Sequence, residues 1–185
     1  VISLHQKGIE NVVSASGTSL TIEQIKLINR FTKNITILFD GDNAGIKASF
    51  RGVDMILKEG MNVKVVPFPD NEDPDSFAQK NSEEELSHFL ETEAIDFITY
   101  KTNILNAESE KDPIKRVAII KDIIRSIALI PDYLTRTEYC KVCSKLLDVK
   151  ENVLLRDIDQ ERKKINLSQN IKKEVPKEKP KKISG

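Results

Sequence analysis

Ile35-Thr36-Ile37-Leu38-Phe39-Asp40-Gly41-Asp42-Asn43-Ala44-Gly45 decides how this chain folds. Its first half is apolar and β-branched, the composition of a buried strand. Beyond it Ile46, Phe50, Val53 and Leu57 recur at helical spacing, so an amphipathic helix follows over about 44–59, closed by Gly60. Asp40 and Asp42 therefore stand where a strand passes into a helix, with a glycine between them that lets the backbone turn tightly. In an open α/β sheet, the carboxyl end of the strands is the edge at which ligands bind. One reading of this turn is a pair of carboxylates facing one hard cation; the other is a plain helix cap supplied by Asp42 or Asn43.

Working toward the amino terminus, residues 11–15 read as a short strand and 1–8 as the last turns of a helix stopped by Gly8. Between them and the central stretch, Thr21 with Gln24 three residues on forms a capping box, opening a helix with Ile25, Leu27, Ile28 and Phe31 on its apolar side. In the other direction, 63–68 is a third strand, whose exit Pro69-Asp70-Asn71-Glu72-Asp73-Pro74-Asp75 has no hydrophobic period. Strand and helix alternate three times over about 70 residues, which argues a parallel sheet with right-handed crossovers.

From about residue 83 the period is helical throughout. Leu86, Phe89 and Leu90 mark a short helix behind the acidic Glu83-Glu84-Glu85, and Ala94, Phe97, Ile98, Ile104 and Leu105 mark another. Pro113 opens a third, carrying Val117, Ile120, Ile123, Ile124, Ile127 and Ile130 and stopped by Pro131. Leu134, Val142, Cys143, Leu146 and Leu147 predict a fourth, and Val153, Leu154, Ile158 and Ile165 a fifth. Short connections suggest antiparallel packing. The turn at 147–149 reads as a helical hairpin rather than a helix-turn-helix, because Glu151, Asp157 and Asp159 would repel phosphates. The expected organisation is an α/β domain over 1–80, an all-α helical subdomain over 83–166 and a disordered basic tail over 167–185.

The 185 residues carry 29 Lys and Arg against 29 Asp and Glu, but the balance is uneven along the chain. Residues 161–185 hold nine basic and three acidic side chains, whereas 70–96 hold ten acidic side chains and one lysine. The folded part therefore lacks a general basic footprint for nucleic acid. No run approaches the ~18 apolar residues of a membrane span and no signal peptide opens the chain, so a cytoplasmic protein without membrane contact is expected. The first residue is valine, and the sequence reads as starting inside a longer one. Cys140 and Cys143 form a single C-x-x-C, with His5 and His88 far away in sequence. Zinc needs four ligands, so these cysteines are expected to be reduced core residues and no zinc is expected.

Three separated motifs share one order: Ser14-Ala15-Ser16-Gly17-Thr18-Ser19-Leu20-Thr21, the Asp40-Gly41-Asp42-Asn43-Ala44-Gly45 turn, and Glu72-Asp73-Pro74-Asp75. Together they closely resemble the Toprim core of bacterial DnaG-type DNA primases, strongly over residues 1–80 and more loosely over 85–165, which match the helical subdomain that follows. The resemblance implies a partial Toprim parallel sheet with flanking helices. It also implies that Asp40 and Asp42 are the family's metal-binding pair and that Asp73 and Asp75 are its further acidic pair at the same face. The cofactor implied is Mg²⁺ or Mn²⁺. The partners implied are a single-stranded DNA template, ribonucleoside triphosphates and, through a C-terminal domain this sequence lacks, a replicative helicase. The family's other metal ligand, a glutamate, would lie before Val1, as would the zinc-ribbon domain and the basic subdomain, so the fragment alone is expected to make no primers.

The chemistry suits these residue types. Transfer of a nucleotidyl group, with two cations about 4 Å apart, needs hard oxygen ligands and no nucleophilic side chain. Metal-assisted phosphodiester hydrolysis needs the same set, so a Toprim nuclease is an alternative. A topoisomerase would need a nucleophilic tyrosine, and Tyr100, Tyr133 and Tyr139 all fall in the helical half. A non-catalytic binding module is a third reading. Lys47 and Arg51, at i and i+4 after the aspartate pair, either approach nucleotide phosphates or form a solvated face. Gly17 and Thr18 either let backbone approach a ligand closely or make a tight strand-to-helix turn.

Overall fold

Strand β1 (Asn34–Phe39) and strand β2 (Asn62–Pro67) pair in parallel, with Asn34 opposite Asn62 and Phe39 opposite Pro67, and helix α3 (Asn43–Lys58) crosses between them. The computed structural model of the chain describes residues 1–15, 20–39, 43–69, 71–107 and 112–174, with the side chains of 43–48 and 169–174 excepted. β2 is the central strand and its Val63, Val65 and Val66 are fully buried, as a strand covered on both faces requires. Strand β3 (Ile95–Asp96) adds to the free side of β2 in antiparallel sense, giving the order β1-β2-β3.

The sheet is thus mixed. The parallel expectation holds for the β1-α3-β2 unit, whereas Ile95 and Asp96 were expected to be helical. Asp96 explains the difference. Its Oδ1 accepts from the Thr99 amide at 3.1 Å, so it caps a helix that starts one residue later, α6 (Phe97–Ala107), and leaves an extended entry beside β2. The strand expected at 11–15 does not form among the described residues. β1 is the last strand on that side, and its ladder is shared with β2.

Helix α1 (Ile2–Gln6) ends at Gly8, where φ is +77° and a Cβ would run into the Glu83 carboxylate, so both backbone and space call for glycine. Helix α2 (Ile22–Ile28) opens with the predicted capping box: Thr21 Oγ1 accepts from the Gln24 amide at 3.3 Å, and Gln24 Oε1 accepts from the Thr21 amide at 2.9 Å. Only Ile25 of its expected apolar side is fully buried, whereas Leu27 and Phe31 are 54% and 84% exposed. A two-turn helix has one buried stripe, and Asn29, donating to the Glu59 carbonyl at 2.9 Å, fixes which stripe that is.

The chain continues through α4 (Pro74–Lys80), α5 (Glu83–Thr92), α7 (Pro113–Leu129), α8 (Tyr133–Leu147) and α9 (Glu151–Glu174). α4 begins within the polar run after β2 that carries no hydrophobic period. α7 begins with Asp112 as cap and Pro113 in the first turn, and Asp148 closes α8 in the left-handed conformation. The exposed carbonyls at the end of α7 are satisfied by two guanidinium groups. Arg136 Nη1 donates to Ile130 and Pro131, and Arg162 Nη1 to Ala128 and Leu129, where a positive charge also complements the helix dipole. α9 runs to Glu174, past the boundary expected at 166. The charged stretch is made of good helix formers, and Lys164 pairs with Glu161 one turn back at 3.0 Å.

One hydrophobic cluster runs through both halves of the chain. Val53 and Ile56 of α3 and Val65 of β2 join Phe97 of α6, Ile127 of α7, Cys140 and Cys143 of α8 and Ile158 of α9. Phe50 meets Phe97 edge to face at 5.5 Å between ring centres. A smaller cluster of Leu4, Ala78 and Leu86 lies under α1, α4 and α5.

Candidate active site at the acidic edge of the sheet

Because Phe39 and Pro67 are register partners, the chain leaves β1 and β2 at the same edge of the sheet, and the Phe68 amide still donates to the Phe39 carbonyl at 3.3 Å. The Asp40-Gly41-Asp42 segment follows from the first strand, and the run to Asp73 and Asp75 follows from the second. Asp40, Asp42, Gly17 and Thr18 lie outside the described residues, as does the side chain of Lys47. Arg51 lies on α3 and is exposed.

Asp73 and Asp75 are fixed by local chemistry. Asp73 Oδ1 accepts from the amides of Asp75 and Ser76, each at 2.8 Å, while Ser76 Oγ accepts from the Asp73 amide at 3.0 Å. Asp73 is thus the cap of α4, with Pro74 in the first helical turn, where its missing amide hydrogen costs nothing. Asp75 Oδ2 accepts from Gln79 Nε2 at 2.7 Å, and Asp75 Oδ1 accepts from the hydroxyl of Ser3 on α1. Glu72, which sequence reasoning had left without a role, closes the group. It takes the Lys80 ammonium and, at 2.6 Å, the Ser76 hydroxyl, and these two hold its carboxyl below the usual range. Asp-Pro at a helix start was the signal that could have revealed α4.

The helix carrying these groups is anchored by aromatic packing. Phe77 lies 4.4 Å from Phe89 and 5.3 Å from Phe68, ring centre to ring centre, so α4 is tied both to the exit of β2 and to α5. Lys7 adds a bond from its ammonium to the Asn81 carbonyl at 2.7 Å. Between α1 and the start of α4 is an open depression of about 300 Å³ lined by Val1, Ser3, Leu4, Asp73, Pro74 and Asp75. Asp73 and Asp75 stay exposed on its rim. Their oxygens are hard donors of the kind Mg²⁺ and Mn²⁺ take. Among the described residues no three His, Cys, Asp or Glu side chains gather as a metal site, so these two carboxylates need further ligands to hold an ion.

The remaining chemistry-bearing side chains sit elsewhere. Cys140 and Cys143 are buried, and that burial pushes both thiols up to about 11. Tyr139 donates its hydroxyl to Asp96, and burial together with this bond raises its phenol well above the usual range. Tyr100 is buried and its phenol is raised for the same first reason. Tyr133 is half-exposed, with the Arg136 guanidinium 5.5 Å from its ring centre.

Residues 1–78 match the Toprim-like family model. A DNA primase of Clostridium acetobutylicum is 35% identical over 157 residues, covering 83% of this chain and 26% of that protein. Among solved structures, a DNA primase domain from Pseudomonas aeruginosa superposes with a TM-score of 0.72 at 26% identity, covering 88% of this chain and 50% of that one. A DnaG primase catalytic domain bound to single-stranded DNA superposes with a TM-score of 0.68 at 26% identity, covering 78% of this chain and 48% of that one. The chain spans about a quarter of the length of the curated relatives it matches.

Proposed function

For a chain whose fold and sequence are those of part of the DnaG-type primase catalytic core, we propose a role inside a larger protein that synthesises RNA primers on single-stranded DNA. The observation that carries this reading is the common edge. Two parallel strands end in register, one leading into Asp40-Gly41-Asp42 and the other into an anchored helix start that presents Asp73 and Asp75 to solvent. In this reading residues 1–80 carry the reaction, 83–166 buttress them, and the basic 167–185 segment leads toward the part that meets the replicative helicase. The protein works in the cytoplasm, in keeping with the finding that, among the described residues, no helix is long and apolar enough to cross a membrane.

Asp40 and Asp42, with Asp73 and Asp75, are the residues that would hold Mg²⁺ or Mn²⁺. A bound divalent ion would neutralise triphosphate charge and acidify the attacking hydroxyl. The chain's own contribution is position. A capped helix start keeps Asp73 and Asp75 at fixed places, so they need no rearrangement when charge arrives. Arg51, with Lys47 one turn before it, neutralises nucleotide phosphate near the start of α3, and Gly17 and Thr18 let the backbone approach closely. The topoisomerase alternative needs a reactive tyrosine, and of the chain's three only Tyr133, on α8 in the helical half, is exposed. Tyr139 is bonded to Asp96, Tyr100 is buried, and both phenols are held in the protonated form.

The test is Asp75→Asn in the full-length protein, assayed for primer synthesis on single-stranded DNA with ribonucleoside triphosphates. Synthesis is expected to fall on the order of a hundredfold, the size typical of losing one charge-stabilising contact in an active site. Unchanged synthesis would remove the Asp73–Asp75 pair from the site. The 185-residue chain assayed alone is expected to make no primers.

A further inference from the structure

Lys101 is 2% exposed, and a lysine buried to that degree must find partners for its charge. Its ammonium donates to Ser126 Oγ at 2.8 Å, forms an ion pair with Asp122 at 2.8 Å and lies 5.4 Å from the centre of the Phe50 ring. Ser126, completely buried, passes the connection on. Its hydroxyl donates to Asp54 Oδ1 at 2.6 Å. Lys101 belongs to α6, and Asp122 and Ser126 belong to α7. Phe50 and Asp54 both belong to α3, one helical turn apart. The ion pair with Asp122 therefore stays within the helical half, while the Ser126 hydroxyl makes a polar bond that reaches from that half into α3. Burial drives the Asp54 carboxyl above its usual range and Asp122 adds to the rise, while Lys101, Ser126 and Arg125 pull the other way.

We propose that Ser126 is a positioning residue for the start of α3, the helix that Asp40-Gly41-Asp42 precedes in sequence. The proposal rests on the reading of Asp40 and Asp42 as cation-holding residues. α3 begins at Asn43, the residue after Asp42, and Asp54 lies eleven residues further on, about 16 Å along the axis. A tilt of about 4° pivoting at Asp54 moves the start of the helix by about 1 Å, a displacement that matters at a reacting centre. Packing of Val53 and Ile56 holds α3 against the core through contacts without a preferred direction. A hydrogen bond of 2.6 Å to a partly buried carboxylate has a direction, and so adds an orientational restraint to that packing.

Two substitutions separate positioning from stability in the full-length protein. Ser126→Ala cuts the link to α3 and leaves the Lys101–Asp122 pair; Asp122→Asn weakens that pair and leaves the link. Asp54→Ala cuts the same link from the α3 side and serves if Ser126→Ala does not fold. Mn²⁺ binding is read by its electron paramagnetic resonance signal, and α3 amide exchange and the melting midpoint are read alongside. Ser126→Ala, or Asp54→Ala, is expected to weaken Mn²⁺ binding about fivefold and speed α3 exchange, whereas Asp122→Asn leaves Mn²⁺ affinity within about twofold at a similar loss in melting midpoint. Unchanged Mn²⁺ affinity in the cut variants, or an equal loss in Asp122→Asn, overturns the proposal. An unsubstituted protein that binds Mn²⁺ but makes no primers overturns the primase reading and leaves this test intact; one that binds no Mn²⁺ overturns both.

Discussion

Asp73 and Asp54 are both carboxylates held by hydrogen bonds, yet the molecule treats them in opposite ways. Around Asp73 every partner is local. Its Oδ1 takes the amides of Asp75 and Ser76, two and three residues on, and the aspartate stays in water. Around Asp54 the partners come from two other helices, 47 and 72 residues away in sequence, and are themselves buried. A carboxylate held by its own neighbours can remain exposed and still point in one direction, which leaves it open to a ligand. A carboxylate held by distant partners joins pieces of the fold and has little surface left to offer. The same functional group caps a helix in the open at one place and joins helices at the other, and what separates the two is burial.

The comparison can be broken at several points. Phe97→Ala removes a fully buried ring from the contact between α3 and α6, and is expected to cost about 3–5 kcal/mol in chemical denaturation; a loss below about 1 kcal/mol would mean that the seam is not a core. High pH probes the same buried side. The unfolded chain gives up its thiol protons from about pH 9, while the folded chain holds those of Cys140 and Cys143 until about 11. The folded state therefore keeps more protons across that interval, and stability falls as pH rises from about 9 to about 11. The double variant Cys140→Ala, Cys143→Ala should flatten this fall in denaturation curves taken across that interval.

On the exposed side, effects on folding are smaller. Asp73→Ala removes the α4 cap and is expected to cost about 1 kcal/mol, with Asp73→Asn recovering most of it. If primer synthesis in the full-length protein recovers as fully with Asn as the melting midpoint does, Asp73 is only a cap. Arg51→Ala should change stability by less than about 0.5 kcal/mol while raising the Michaelis constant for nucleotides; an unchanged constant would assign Arg51 to the solvated face.

Local physics was readable in the sequence where it acts alone. The capping box at Thr21, the stop at Gly8, the strand before Asp40 and the proline-opened α7 follow from propensity and spacing within a few residues, and each of them forms, the strand ending at Phe39. α4 was legible too, in Asp73-Pro74, but its apolar side, Phe77 and Ala78, lies beyond the polar run that carries the motif. β3 was not legible, since two residues of extended chain are decided by the free edge of β2 rather than by their own preference. Leu27, Phe31 and Leu134 fit a helical stripe and are nevertheless exposed, because period alone does not say which neighbours exist. Lys101 gave no signal of burial, since its partners Ser126 and Asp122 become its neighbours only when α6 packs on α7. Of the candidate site, the chemistry at Asp73 and Asp75 was visible as a motif, and their support by Ser3, Glu72 and Phe77 was not.

The contact of Phe50 with Phe97 has a practical meaning for anyone cutting this gene. The Toprim-like match stops at residue 78, and a piece ending there is the obvious one to express. Such a piece would carry Phe50 and Val53 on α3 with the covering side chains of α6 and α7 left behind, an oily stripe with nothing to lie on it. It is expected to come out of cells as aggregate, whereas a piece carried on through α9 comes out soluble.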